Sequence, residues 1–373
     1  MHQPGYFPLV EVSGSPYERG LSHGRQVADR VRGSVAIYAR SLNKLGFPAS
    51  RLRALLESFT REIESFEPAY IEEMRGIALG AGVSFEDVLM INARTEIMAQ
   101  AVRMQEAGES EGDECTSVGI LASRSATGGY IQGQNWDNRV DCADTVIMLR
   151  VLRDDGPDLL TFVEAGGLAR YGMNSAGVCL NGNGLSSDRD YSQPGIPLPL
   201  VRRKALEQEH FSLALKVIYA APKACSCNLL LGSSLGTAVN LECAPDETFV
   251  LYPENGLAVH SNHWVSQAAL SKLKEAGVTG SPDSIFRLMR ARELLETGEK
   301  LTVADLKAAF ADTLGTPFSL CRPPRANDKG FETSTTATLV MDPAAGVIEV
   351  ARMPSLGAHY ASYPIARGAA ARH

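Results

Sequence analysis

The chain has 373 residues, 45% of them apolar and 21% charged, with 36 basic against 43 acidic side chains and a net charge of −7. That composition excludes a disordered or fibrous protein and gives either one large α/β domain or two ordinary ones, enough to bury a dry active site. The acidic balance and scattered Lys and Arg provide no one-sided basic field for phosphates, so neither nucleic acid nor an anionic membrane is an expected partner.

No apolar run approaches the roughly 18 residues that span a bilayer, and Met1 to Val10 holds two prolines and no basic stretch, so a cytoplasmic location is expected. Ala371-Arg372-His373 is not read as a peroxisomal address. The seven cysteines are odd in number and dispersed, which suits neither a disulfide scaffold nor a zinc module and predicts mostly free thiols.

From Pro16 to about Gln105 the pattern is helical, clearest where Leu52, Leu55, Leu56, Phe59, Ile63 and Phe66 recur at three- and four-residue steps. Ser84, with Glu86 and Asp87 behind it, predicts the N-cap of a helix ending near Arg103. Glu106 to Glu114 carries five acids, two glycines and no basic residue, and reads as an exposed loop.

Short β-branched and apolar runs follow: 116–122, 130–134, 146–152, 159–164 and 177–181, then 228–232, 238–242, 248–252, 258–261, 336–341 and 347–351. Helical stretches at about 198–220, 282–296 and 303–314 interrupt them between groups of strands. So many strands, grouped this way, predict an α+β fold of two packed sheets rather than a regular doubly wound one.

The composition break ends at Glu114-Cys115-Thr116-Ser117, which places a thiol where the acidic loop meets the first strand of the β-rich part. Alone, such a cysteine is a small half-buried residue opening a strand. Two further strands are read as ending in polar clusters, Gln132-Gly133-Gln134-Asn135-Trp136-Asp137 and His260-Ser261-Asn262-His263. Together with Gly172-Met173-Asn174-Ser175-Ala176-Gly177-Val178, Arg19-Gly20 with His23-Gly24, and Ser319-Leu320-Cys321-Arg322, they resemble the acyl-coenzyme A:isopenicillin N acyltransferase family of N-terminal-nucleophile hydrolases. The resemblance covers nearly the whole chain, and the Gln-Gly-Gln-Asn-Trp-Asp segment at its distance from Cys115 is its specific part.

The resemblance implies a four-layer αββα sandwich, made as a precursor that cuts itself between Glu114 and Cys115. A mainly helical segment 1–114 and a β-rich segment 115–373 would then form one integrated domain, an α/β heterodimer. It implies that Cys115 is the nucleophile, that Asp137 positions it and that the side-chain N–H of Asn262 serves the oxyanion. Ser226 and Arg322 match a serine and an arginine associated with processing or substrate contact, although Arg322 also reads as a surface charge. Thr116 and Ser117 read either as hydroxyls around the scissile bond or as ordinary strand openers. The implied reaction is hydrolysis of a small N-acylated amine or peptide-like amide through an acyl-Cys115 thioester. Acyl-coenzyme A-dependent transfer and an uncut binding protein of the same fold are the alternatives.

No cofactor or metal is expected. A three-residue step sets His260 and His263 on opposite faces of a continuing strand, Cys225-Ser226-Cys227 reads as strand packing, and the glycine pairs lack a phosphate-binding context. Asn174 and Asn181 read as turn and strand-flanking residues. Glu114 departs from the family pattern, where glycine precedes the nucleophile. Glutamate forfeits glycine's backbone freedom and sets a carboxylate beside the thiol, which predicts slow or conditional cleavage.

Overall fold

The computed structural model describes residues 6–104, 114–327 and 330–366, so residues 106–113 of the acidic loop and the C-terminal tripeptide lie outside the described residues. After β1 (Leu9–Val12) come α1 (Pro16–Gln26), α2 (Ala28–Lys44), α3 (Ala49–Phe66), α4 (Pro68–Ala81), α5 (Phe85–Asn92) and α6 (Arg94–Arg103). In α3 the apolar repeat faces inward through buried Leu56, Phe59 and Ile63. Ser84 caps α5 in a reciprocal pair with Asp87. The single helix expected from Ser84 to Arg103 breaks at Ala93. There Asn92 turns its amide to the Val88 and Gly166 carbonyls and accepts from the Leu168 N–H, tying the helix end to a neighbouring loop.

The β-rich part begins with β2 (Glu114–Ile120), β3 (Ile131–Arg139), β4 (Val146–Val151), β5 (Leu159–Glu164), β6 (Tyr171–Asn174) and β7 (Val178–Gly184). The expected helix over 198–220 is two, α7 (Leu198–Leu206) and α8 (Phe211–Ala220). Then come β8 (Cys227–Ser233), β9 (Ala238–Cys243), β10 (Thr248–Leu251) and β11 (Leu257–His260), the single-turn α9 (Gln267–Leu270), α10 (Asp283–Glu296) and α11 (Val303–Phe310). The chain closes with β12 (Arg325–Ala326), β13 (Glu332–Asp342), β14 (Val347–Arg352) and β15 (Tyr360–Pro364).

Eight strands form one sheet in the order β1-β4-β5-β6-β7-β8-β9-β10, and a second runs β11-β2-β3-β13-β14-β15 with β12 on β13. The sheets pack face to face, with Trp136 of one edge-on to Phe162 of the other at 5.1 Å. The outer face of the larger sheet is covered by the helices up to α8, whose apolar residues share its core. The outer face of the smaller sheet is covered by α10 and α11, through a second cluster that includes Val118, Ile120, Leu295, Leu306 and Phe310. The result is the four-layer αββα sandwich. No helix among the described residues is long and apolar enough to cross a membrane.

One strand differs from expectation where it matters most. The polar cluster 135–137 lies inside β3, which runs on to Arg139 between β2 and β13. Its amides are satisfied there: Gln134 donates to the Gly182 carbonyl of the facing sheet at 2.8 Å, and Asn135 to the Phe310 and Leu320 carbonyls. Polar side chains are stable mid-strand when every donor finds a partner.

Candidate active site

Cys115 is the second residue of β2 and is fully buried. The neighbouring β11 leaves the ladder after His260, which pairs with Ser117, so no strand residue faces the Cys115 N–H on that side. The side chain of Asn262, two residues further on, takes that place and accepts the N–H through Oδ1 at 2.7 Å. The amide Nδ2 of Asn262 donates to the Gly184 carbonyl at 3.1 Å. Its backbone N–H is fixed by Ser284 Oγ at 2.7 Å, a hydroxyl that also meets His263 Nδ1.

On the other side of β2, Glu114 pairs with Asp137 and Cys115 with Trp136. Directly opposed residues share a face, so Glu114 and Asp137 point towards α10 while Cys115 and Trp136 point between the sheets. Asp137 thus stands beside the residue before the expected scissile bond. It is buried, its Oδ1 accepts from Thr335 at 2.6 Å, and its Oδ2 lies 3.5 Å from Arg322 Nε. Burial outweighs the nearby Arg287 and raises its carboxyl to about 7, so it exchanges a proton near neutrality.

Arg322 is buried rather than a surface charge, and it gathers three carboxylates: Glu114, Asp283 and Asp137. Even so, burial, with Arg325 nearby, lowers its guanidinium to about 9. Glu114 also accepts from Ser281 Oγ at 2.6 Å, so both of its carboxylate oxygens are held.

Two residues that the sequence did not single out join the site. Arg287, on α10 and fully buried, donates to the Cys115 carbonyl at 2.8 Å, to Thr116 Oγ1 at 2.9 Å and to Asn262 Oδ1 at 3.0 Å, while its Nε pairs with Asp283 at 2.9 Å. Asn183 of β7 donates to the same carbonyl at 3.1 Å and accepts from Ser117 Oγ at 2.7 Å. The only sequence trace of Arg287 is an Asp-Arg pair four residues apart at the start of an expected helix, which reads equally as a solvated face.

Glu114, Asp137, Asn262 and Arg322 line a cavity of about 620 Å³ between the sheet ends, α6 and the 276–283 loop. Ser226 is on the same wall but belongs to another cluster, donating to Asp190 at 2.5 Å and meeting Ser187 at 3.0 Å. Asn174 closes the turn after β6, and Asn181 donates to the Gly133 carbonyl across the sheets. His260 pairs with Glu242 at 2.9 Å, apart from His263 on Ser284. Cys227 lies in β8 and Cys225 just before it; none of the seven cysteines is in a disulfide. Among the described residues no group of three His, Cys, Asp or Glu side chains is placed to hold a metal ion.

Residues 124–352 match the family described as Acyl-coenzyme A:6-aminopenicillanic acid acyl-transferase. The chain is 30% identical over 321 residues, 84% of each chain, to the Acyl-coenzyme A:6-aminopenicillanic-acid-acyltransferase 40 kDa form of Emericella nidulans. This chain belongs to that acyltransferase family. The family match begins beyond Cys115, whereas the alignment with the Emericella protein spans most of both chains. A second relative is the Beta-alanyl-dopamine/carcinine hydrolase of Drosophila melanogaster, 24% identical over 114 residues, 30% of this chain and 29% of that one. Among solved structures, penicillin V acylase from Agrobacterium tumefaciens superposes with a TM-score of 0.47 at 14% identity, covering 67% of this chain and 86% of that one. The Caenorhabditis elegans ortholog of N-acylethanolamine-hydrolyzing acid amidase gives 0.44 at 15%, covering 62% and 93%.

Proposed function

We propose that this acyltransferase-family member is a self-processing cysteine amidohydrolase that cleaves a small N-acylated amine or peptide-like amide through an acyl-Cys115 thioester. The observation that carries this reading is the setting of the Glu114–Cys115 peptide. Its nitrogen is held by a side chain, Asn262, and its acyl residue forms part of a cavity wall beside Asp137 and Arg322.

In processing, Cys115 Sγ attacks the Glu114 carbonyl carbon, the C–N bond breaks, and the Cys115 nitrogen leaves as an amine carrying the thiol proton. Water then hydrolyses the thioester, giving the Glu114 carboxylate and a free thiol. The new α-amine has an ordinary pKa of about 7.7–8.0, close to the thiol's 8.5, and serves as its base without a histidine. Asn262 Oδ1 keeps that nitrogen in place, while Arg287 and Asn183 fix the Cys115 carbonyl, so the residue stays put when its N-terminal neighbour departs. Cys115 is sealed in the uncut chain, and withdrawal of Glu114 from Arg322 and Ser281 opens the cavity onto it.

In turnover the same sulfur attacks the substrate carbonyl, the α-ammonium protonates the leaving amine, and water resolves the thioester. The Asn262 N–H, drawn from the Gly184 carbonyl, is the donor for the tetrahedral oxyanion. Hydrolysis is preferred to transfer because the amide route needs only an acyl pocket, the oxyanion donor and the freed amine. Mass spectrometry of the denatured protein should show two chains for wild type and one for Cys115→Ala. A panel of N-acyl amides should release free acid with the processed enzyme alone. A single wild-type chain, or efficient amide synthesis from acyl-coenzyme A with negligible hydrolysis, overturns the reading.

A further inference from the structure

Most charged side chains on the cavity wall are matched, and Arg202 lies over the Tyr171 ring at 5.2 Å. Arg94 pairs with Glu164 at 2.7 Å, Arg139 with Asp141 at 2.6 Å, and Arg322 with its three carboxylates. Arg103 donates to the Asp190 carbonyl and lies over the Tyr191 ring at 5.3 Å. Among the acids, Asp190 is taken up by Ser226 and Ser187.

Arg325 is the contrast. It opens β12, opposite Thr333 of β13, on the wall of the same cavity. It is half-buried, its guanidinium lies 4.4 Å over the Phe318 ring, and no carboxylate among the described residues pairs with it. Its Nε is buried without a hydrogen-bond partner. Stacking on a ring restricts the side chain but leaves the planar fork of N–H donors free at its edge, an arrangement suited to a carboxylate. The positive charge is also near the chemistry: Thr333, opposite Arg325, is two residues from Thr335, which pairs with Asp137 and donates to its carboxylate at 2.6 Å.

We propose that Arg325 binds a carboxylate on the amine half of the substrate, so that N-acyl amino acids rather than N-acyl amines are the substrate class. This rests on the amidase reading above. In an N-acyl amino acid the carboxylate is one carbon from the scissile nitrogen, so an anion receptor has to lie beside the site that polarises the amide. Arg325 shares the cavity wall with Asp137 and Asn262, while the other cationic side chains named above are already engaged.

The test uses the wild-type protein as purified and two matched pairs of compounds. For binding, uncleavable ketones are titrated calorimetrically: 4-oxo acids, in which CH₂ replaces the N–H of an acyl glycine, against the same ketones lacking the carboxylate. For turnover, acyl glycines are compared with the matching acyl methylamides. Wild type should bind the acid at least about tenfold more tightly than its neutral match. Arg325→Gln should lose about 10–100-fold for the acid, with turnover changed mainly through KM, and Arg325→Lys should fall between, since it keeps the charge and loses the fork. Equal binding of acid and neutral ketone, or a preference that survives Arg325→Gln, overturns the proposal. A binding preference abolished by Arg325→Gln, with hydrolysis of neither amide, sinks the amidase reading and leaves the anion site standing. Equal hydrolysis of both amides does the reverse.

Discussion

At the scale of single residues, Asp137 and Asn262 make separable predictions. The Asp137 carboxyl is raised from 3.8 to about 7, chiefly by burial. Between about pH 4 and 7 the folded chain therefore holds a proton that the unfolded chain has lost, and stability falls as pH rises through that window. Asp137→Asn removes the titration, so the melting temperature of the variant minus that of wild type should grow from pH 4 to 7 and level off above. A difference independent of pH would mean that the carboxyl titrates normally. Asn262 holds the Cys115 nitrogen and carries the proposed oxyanion donor. Asn262→Ala in correctly processed protein should lower kcat by about 10²–10³ with little change in KM, the scale of losing one such donor. Unchanged kcat removes Asn262 from the chemistry. Glu114 makes a third prediction: both its carboxylate oxygens are tied, to Arg322 and Ser281. Glu114→Gly releases that tether and gains backbone freedom, so the two mature chains should accumulate faster in a denaturing mass-spectrometric time course. An unchanged rate would separate the tether from processing.

Among the elements, the crossing of α1 and α4 is the tightest, and glycine makes it so. A Cβ on Gly20 would lie 1.9 Å from the Glu73 carbonyl oxygen, and one on Gly76 would lie 2.2 Å from that of Tyr17. Both clashes are with backbone, which cannot swing aside as a side chain does. Gly20→Ala gains up to about 1 kcal/mol of helix propensity, yet it forces the helices apart, so a net loss of about 1–3 kcal/mol is expected, read as a lower denaturant midpoint. The Arg19-Gly20 and His23-Gly24 pairs were legible only as part of a family resemblance; Arg19 and the two glycines make this helix contact, while His23 accepts from the Gly166 N–H, and no spacing rule identifies either without the partner element. The strands were more legible, because alternating β-branched runs reflect sheets buried on one or both faces. Reading failed where polarity sat inside a strand: Gln134 and Asn135 look like a strand end until the Gly182, Phe310 and Leu320 carbonyls that accept their amides are in view. Arg287 failed for the same reason. A guanidinium on an amphipathic helix reads as solvated, and here its donors go to the Cys115 carbonyl, Thr116 and Asn262 instead.

For the whole molecule, the question is what would hold residues 1–114 to the rest if the peptide bond before Cys115 is cut as proposed. The N-terminal segment is not a separable lobe. Its β1 is an edge strand of the larger sheet, paired in parallel with β4 from Leu9 opposite Met148 to Val12 opposite Val151. Its helices bury Val31, Ile63, Met74, Ile77, Val88 and Leu89 in the same core as Leu149, Phe162 and Leu200 from beyond the cut. Buried charge crosses the boundary as well: Arg94 to Glu164 at 2.7 Å, and Glu73 to Arg203 at 3.2 Å. Separating the segments would expose apolar surface worth roughly 25 cal/mol per Å² and leave those charges unpaired in a desolvated setting, a cost far beyond that of losing one covalent bond's tether. The cut protein should therefore elute from a sizing column at the same volume as Cys115→Ala, although denaturing mass spectrometry should resolve it into two chains. Residues 1–114 expressed alone should lack a cooperative unfolding transition, since the helices then have no sheet to cover. Elution of two smaller species after processing would show that the shared core is not what keeps the mature protein together.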